Sequence, residues 1–244
     1  VTVKYKVLTK GFIPIQSLEN KKYDYHFLAQ NIPAFVEENY FTPTFEYPLT
    51  ALVFSSKSDF KRYLKNNLNI QNPPNFGVYI KEFKIFATFK GSGLGTFTHE
   101  IMHPLVEVNL PDRPEWAVEG IPSFFEKFIG YWEGEKLELQ LGYQNPWRVH
   151  QLGAEITNLD LKEIISLKRR NYAKANNSEL RMVSVFIDRQ GLFVEYLTLV
   201  KNEDKRGYQF YIEAAFNRPI EKIIPLWKTY LADVRNNKAR IYQI

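Results

Sequence analysis

Two histidines and a glutamate form the group in this sequence whose residue types and spacing are best suited to chemistry. They lie in residues 98–103 (Thr-His-Glu-Ile-Met-His), where His99 and His103 are four positions apart. Residues four apart stack on one face of a helix, so both imidazoles can bind one metal ion. Glu100, beside them, can reach a water on that ion and act as its general base. The segment therefore predicts a helix that carries a catalytic metal centre.

Zinc is the ion that these residue types favour. The chain has no cysteine and only four histidines, so a metal must be held by His, Asp and Glu. Zinc accepts neutral nitrogen and carboxylate ligands, and in catalytic sites it keeps one position for water, whose pKa it lowers toward neutrality. We therefore expect Zn²⁺ as the cofactor and hydrolytic attack on a carbonyl group as the reaction.

A third ligand is expected from a second helix. Residues 114–120 (Pro-Glu-Trp-Ala-Val-Glu-Gly) follow a turn and open an apolar helical pattern. Glu119 completes a two-His, one-Glu site if this helix packs beside the first. Glu126, seven residues further on, falls on the same predicted face, where its carboxylate can orient a ligand imidazole.

The run from His99 to Glu126 resembles the gluzincin branch of zinc metallopeptidases, in which a His-Glu-x-x-His helix is followed by a Trp-x-x-Glu-Gly helix. It is similar in particular to small bacterial peptidase MA-like domains, whose pattern residues 77–79 (Gly-Val-Tyr) and 93–96 (Gly-Leu-Gly-Thr) also match. The resemblance implies a zincin-like fold and peptide or protein substrates. It also implies roles for five residues: zinc ligation by His99, His103 and Glu119, general-base catalysis by Glu100, and orientation of a ligand by Glu126.

The donor that stabilises the oxyanion is not singled out by the sequence. Gluzincins commonly use a Tyr or His well past the third ligand for this purpose. Related domains place a Tyr at the start of the late helix, where this chain has residues 187–190 (Ile-Asp-Arg-Gln). Tyr172 is our expectation for a second catalytic residue, and the alternatives are Tyr143, His150 and Arg189, because geometry rather than spacing decides such a partner.

Hydrophobic periodicity predicts the elements that position these residues. Before residue 95 it indicates helices over 23–40 and 59–66 and strands over 49–54, 76–80 and 83–89. The last strand enters the zinc helix through the glycine-rich residues 91–95, which fit neither the dinucleotide nor the Walker pattern and are expected to be a flexible link rather than a phosphate site. This strand is either a sheet edge that pairs with an extended substrate or an interior strand.

The later part of the chain is predicted to be mostly helical. A short hairpin or a strand is expected within 130–142, a helix in two pieces over 179–200 with a break near Gly191, and a kink or a late helix start at Pro225. The whole pattern predicts an α+β fold: an upper part with a small mixed sheet and an edge strand over 1–95, then zinc-site helices and a mostly helical lower part over 96–244, together one catalytic unit.

Composition excludes several classes of protein. Hydrophobic residues make up 45% and charged residues 24%, a globular balance. Roughly 18 consecutive apolar residues are needed for a membrane span, and no such run occurs. The net charge is +5 and the lysines are scattered, which argues against nucleic acid as a partner. We expect a monomer that is extracytoplasmic or secreted, from the family resemblance and the start at Val1, and otherwise cytoplasmic.

Two alternatives to a peptidase follow from the same residues. The first is a binding or structural module of the same fold that keeps zinc without useful catalysis, and the unassigned oxyanion donor favours it. The second is a metal-free globular domain in which the short motif arises by accident.

Overall fold

A computed structural model gives the fold as α+β and mostly helical, with a small three-stranded mixed sheet. It describes residues 15–16, 22–23, 25–41, 49–114, 116–133, 136–166, 176–202 and 208–236. None of the helices in these ranges combines the length with the apolar character that crossing a lipid bilayer requires. The predicted fold class is confirmed at this level.

The described residues group into two compact units. One contains the residues up to Leu105 together with Ile129–Leu139, and the other contains Val106–Phe128 and the residues from Gln140 onward. The sequence predicted an upper part over 1–95 and a lower part over 96–244 that together form one catalytic unit. That division stays a prediction.

The first unit is built from short strands and the helices that cover them. In chain order its elements are β1 (Ile15–Gln16), β2 (Lys22–Tyr23), α1 (Tyr25–Asn39), β3 (Thr50–Phe54), α2 (Lys57–Asn67), β4 (Gly77–Ile80), β5 (Ile85–Phe89), most of α3 (Leu94–Asn109), β6 (Ile129–Glu133) and β7 (Lys136–Gln140). β1 pairs with β2, and β6 with β7, as two-stranded sheets. The predicted helices and strands of this part are confirmed to within a few residues.

The strand order of the mixed sheet is β3-β5-β4. β3 runs parallel to β5, with Thr50 opposite Ile85, and β4 runs antiparallel to it, with Gly77 opposite Thr88. β5 is therefore the central strand, because β4 returns beside it through a tight 3₁₀ turn while β3 occupies its other side. The hypothesis that residues 83–89 form an edge strand is wrong, and the alternative of an interior strand is correct.

Alternation along the strands gives this sheet two buried faces. Leu52, Ile80 and Ala87 lie on the face that packs against Phe60 and Leu64 of α2. On the opposite face the ring centroid of Phe86 lies 5.1 Å from that of Phe97 in α3, which in turn lies 5.0 Å from that of Tyr25 in α1. These aromatic contacts hold α3 against the sheet.

The second unit is helical. It contains the end of α3 and then α4 (Ala117–Phe124), α5 (Pro146–Leu152), α6 (Leu161–Ile165), α7 (Asn177–Arg189), α8 (Phe193–Asn202), α9 (Tyr208–Phe216) and α10 (Ile220–Arg235). The predicted break is confirmed between α7 and α8, where Gly191 has a φ of 72°, a conformation typical of the residue that ends a helix. A late helix start at Pro225 is wrong, since α10 begins at Ile220 and contains this proline.

Close packing of α4 on α7 sets the position of the first turn of α4. A Cβ atom on Gly120 would lie 2.9 Å from the carbonyl oxygen of Leu180 and 2.9 Å from the indole ring of Trp116. Trp116 is fully buried, and its ring centroid lies 5.7 Å from that of Tyr196 in α8. Because glycine has no Cβ, the backbones of α4 and α7 can approach this closely.

We predict that Gly120→Ala destabilises the protein. Alanine normally stabilises a helix by about 1 kcal/mol relative to glycine. Here the added methyl group meets a backbone oxygen and a packed indole, so the free energy of unfolding should fall by about 1–3 kcal/mol. Urea denaturation followed by circular dichroism measures the change, and a stabilised variant would contradict the close packing of α4 on α7.

Candidate metal centre

The three predicted ligands lie together. One ligand atom from each of His99, His103 and Glu119 lies within 4.8 Å of the other two. His99 is buried, and the other two side chains are half-buried. Zinc binds such nitrogen and oxygen atoms at about 2.0–2.2 Å, so ligand atoms around one ion are a few ångströms apart. The group is compact enough, and its donor set suitable, for one zinc ion.

Helix α3 supplies both imidazoles. Their ring centroids are 4.9 Å apart and their planes are inclined by 78°, so the two rings are nearly perpendicular rather than stacked. The carboxylate of Glu100 is buried, and one of its oxygens lies 4.0 Å from Nε2 of His103. The side chain expected to be the general base is therefore next to the imidazole pair.

The start of α3 is fixed by the glycine-rich link. After β5 the chain makes a 3₁₀ turn at Lys90–Ser92. Gly93 then takes a φ of 81°, a backbone conformation that residues other than glycine rarely adopt. The hydroxyl of Thr96 donates to the carbonyl oxygen of Ser92 at 3.0 Å. These residues join the strand to the helix as expected and set where His99 lies relative to the sheet, while their flexibility stays a prediction.

Strand β4 borders the same helix. A Cβ atom on Gly77 would lie 2.7 Å from an oxygen of Glu100 and 2.7 Å from the methyl carbon of Thr96. Two residues on, the ring of Tyr79 is stacked near-parallel to that of His103, at 11°, with centroids 6.1 Å apart. The backbone of β4 thus closes one side of the candidate site.

Gly77 and Tyr79 have no predicted role at the metal centre, and in the sequence they belong only to the Gly-Val-Tyr pattern of the family resemblance. The alternation of β4 was a usable signal. Val78 and Ile80 pack on the side of α2, so the alternate residues Gly77 and Tyr79 belong to the opposite face, where α3 lies.

Glu119, the predicted third ligand, is hydrogen-bonded to a residue that no sequence motif indicates. Nδ2 of Asn177 donates to Oε2 of Glu119 at 3.0 Å. Asn177 is the first residue of α7, directly after Asn176, whose side chain caps the helix by accepting from the backbone N–H of Ser178 at 3.0 Å. No local pattern could indicate this contact, because it joins residues far apart in the chain.

Glu126 lies past the end of α4 in a network of its own. Its buried carboxylate accepts hydrogen bonds from Nδ2 of Asn145 at 3.0 Å and from the guanidinium of Arg148, with Nε at 3.1 Å. Burial lowers the pKa of the nearby Arg181 to about 10, while the charge of Glu126 opposes that shift, so Arg181 stays charged at neutral pH. The described partners explain why this carboxylate is buried, and its expected role toward a ligand imidazole stays a prediction.

The candidate oxyanion donors have different surroundings. Tyr172 lies outside the described residues. Tyr143 is a buried residue, and its hydroxyl donates to the side-chain oxygen of Gln140 at 3.0 Å. His150 on α5 and Arg189 at the end of α7 are exposed. The assignment of the oxyanion donor stays a prediction.

Comparison with known proteins adds no relative. No family model matches this chain, and no curated protein matches it. Membership of the gluzincin family therefore stays a prediction that rests on the motif residues.

We predict that the purified protein contains about one zinc ion per chain and that His103→Ala loses most of it, because two ligands hold zinc much more weakly than three. Elemental analysis after gel filtration measures the metal content. His150→Ala is the matched control, since this exposed histidine lies on α5 and should leave the zinc content unchanged. Absence of zinc from the unaltered protein, supplied with zinc during purification, would contradict the site.

Proposed function

We propose that this chain is a zinc-dependent metallopeptidase of the gluzincin type, with a zincin-like fold. The observation that carries the proposal is that His99, His103 and Glu119, which come from two helices, converge beside the buried carboxylate of Glu100. A lone His-Glu-x-x-His segment often arises by chance, whereas a third ligand from a separate helix does not follow from the segment itself. The α+β architecture is compatible with this class of enzyme.

The reaction assigns a separate task to each side chain. His99 and His103 bind as neutral imidazoles and Glu119 as a carboxylate. Bound zinc supplies Lewis-acid activation of water and of the substrate carbonyl. Glu100 accepts a proton from the water that attacks the carbonyl carbon, and it returns this proton to the nitrogen as the C–N bond breaks. The products are a carboxylic acid and an amine, so one water is consumed for each peptide bond.

The substrate is proposed to be a peptide that lies extended along β4. Among the described strands of the mixed sheet, β4 is an edge, and its Gly77 and Tyr79 border α3. An edge strand offers backbone groups to an added strand, and side-chain pockets then select the sequence. The expectations of a monomeric enzyme and of an extracytoplasmic location belong to the same proposal.

A second candidate is a zinc-retaining module without catalysis. It is favoured by the environment of Tyr143, one of the candidate oxyanion donors, whose hydroxyl already donates to Gln140. Cleavage of a mixed peptide library separates the two candidates: products that depend on Glu100 support the peptidase, and intact peptides in the presence of stoichiometric zinc support the module.

We predict that Glu100→Gln lowers kcat by about 10²–10⁴-fold, the usual contribution of a general base, because the amide cannot take up the proton. The zinc content should stay unchanged, since Glu100 is not among the grouped ligands. Glu107→Gln on the same helix is the matched control and should retain activity. Full activity in the Glu100 variant would overturn the mechanism.

We predict that Gly77→Ala lowers kcat by about 10²-fold with zinc retained, because the new Cβ would displace the Glu100 carboxylate and small errors in the position of a catalytic group are costly. Val78→Ala, on the same strand but directed toward the core under α2, controls for general loosening of β4. The kcat of each variant is measured with a peptide that the unaltered protein cleaves, and it is divided by the amount of folded protein. Equal losses in both variants would argue against a specific role of Gly77.

A further inference from the structure

We infer that Asn177 is a positioning residue of the metal centre, which holds the Glu119 carboxylate in the orientation that binds the ion. The inference rests on the proposed metal-binding function. Its basis is the 3.0 Å hydrogen bond from Nδ2 of Asn177 to Oε2 of Glu119. Groups that hydrogen-bond metal ligands orient them, and their loss commonly weakens metal binding.

Asn177 is itself held firmly by the start of α7. On its N-terminal side Asn176 accepts from the backbone N–H of Ser178 at 3.0 Å and so caps the helix. On its C-terminal side the hydroxyl of the buried Ser178 donates to Gln151 at 2.7 Å. With its backbone fixed by these neighbours, Asn177 offers Glu119 a donor whose position is well defined.

The same two helices are in contact one residue further along α4. Gly120 approaches the carbonyl oxygen of Leu180 so closely that a Cβ atom would lie 2.9 Å from it. The backbone contact sets the separation of α4 and α7, and the bond between Asn177 and Glu119 then sets the rotation of the carboxylate. Position and orientation of the third ligand are therefore determined by different interactions.

An amide is chemically suited to this task. A carboxylate has two oxygens, and an unrestrained one can bind a metal through both or turn away to pair with a cation. A Lys or Arg donor would neutralise Glu119 and compete with the metal for it. The amide of Asn177 is neutral, so it restrains Oε2 without neutralising the carboxylate.

The test compares zinc affinity in two adjacent asparagine variants by competition with a chromogenic chelator. Asn177→Ala is expected to raise the Kd for zinc by about 10–100-fold. Asn176→Ala removes the helix cap instead, so it should lower the stability of the metal-free protein and leave the Kd within about twofold. Urea unfolding of the metal-free proteins separates loss of structure from loss of affinity. If Asn177→Ala does not fold, Asn177→Ser, whose hydroxyl is too short to reach Glu119, takes its place with the same expected loss.

A double-variant cycle shows whether Asn177 acts through Glu119. In a Glu119→Ala background, the additional change Asn177→Ala should leave the already weakened zinc affinity unchanged. An undiminished loss in that background, or an unchanged Kd in the Asn177 single variant, overturns the inference while the metal centre stands. Failure of the unaltered protein to bind zinc overturns the proposed function itself, so the two failures are distinguishable.

Discussion

The candidate centre depends on a carboxylate from one helix reaching two imidazoles on another. The pairing of His99 with His103 needs no tertiary structure, because the period of an α-helix places both on one face of α3. No local rule places Glu119 beside these histidines. Its position depends on where the packing of the protein holds the first turn of α4. That turn is held by buried Trp116 and by the close approach of Gly120 to α7. The packing of α4 on α7 is therefore as important to the site as the ligands themselves.

Charge explains why such a group suits a cation. Glu100 is buried and Glu119 is half-buried, and the imidazoles of His99 and His103 lie beside them. Buried carboxylates are costly without a compensating positive charge. Glu126 has that compensation from Arg148 at hydrogen-bond distance. At the proposed centre a divalent ion would add positive charge beside Glu100 and Glu119, and its binding free energy would then add to the stability of the fold.

The sequence predicted what local rules determine and failed where tertiary structure decides. The helix of His99, the strands around it and the break at Gly191 follow from periodicity and glycine conformation, and they appear where expected. The order of strands in a sheet is not encoded in any one strand, so the central position of β5 was open from the sequence. Likewise Glu126 continues the apolar helical pattern of α4, but the helix ends at Phe124 and the carboxylate turns to Asn145.

Gly77 and Asn177 support the two carboxylates in different ways, and neither way leaves a recognisable sequence motif. Gly77 acts through the absence of a side chain, which leaves space for the carboxylate of Glu100. Asn177 acts through a directed hydrogen bond to Glu119. The Glu100 carboxylate occupies the space that the missing side chain of Gly77 leaves, whereas the Glu119 carboxylate is oriented by its hydrogen bond to an amide. Both contacts would keep a carboxylate at the position that its proposed task requires.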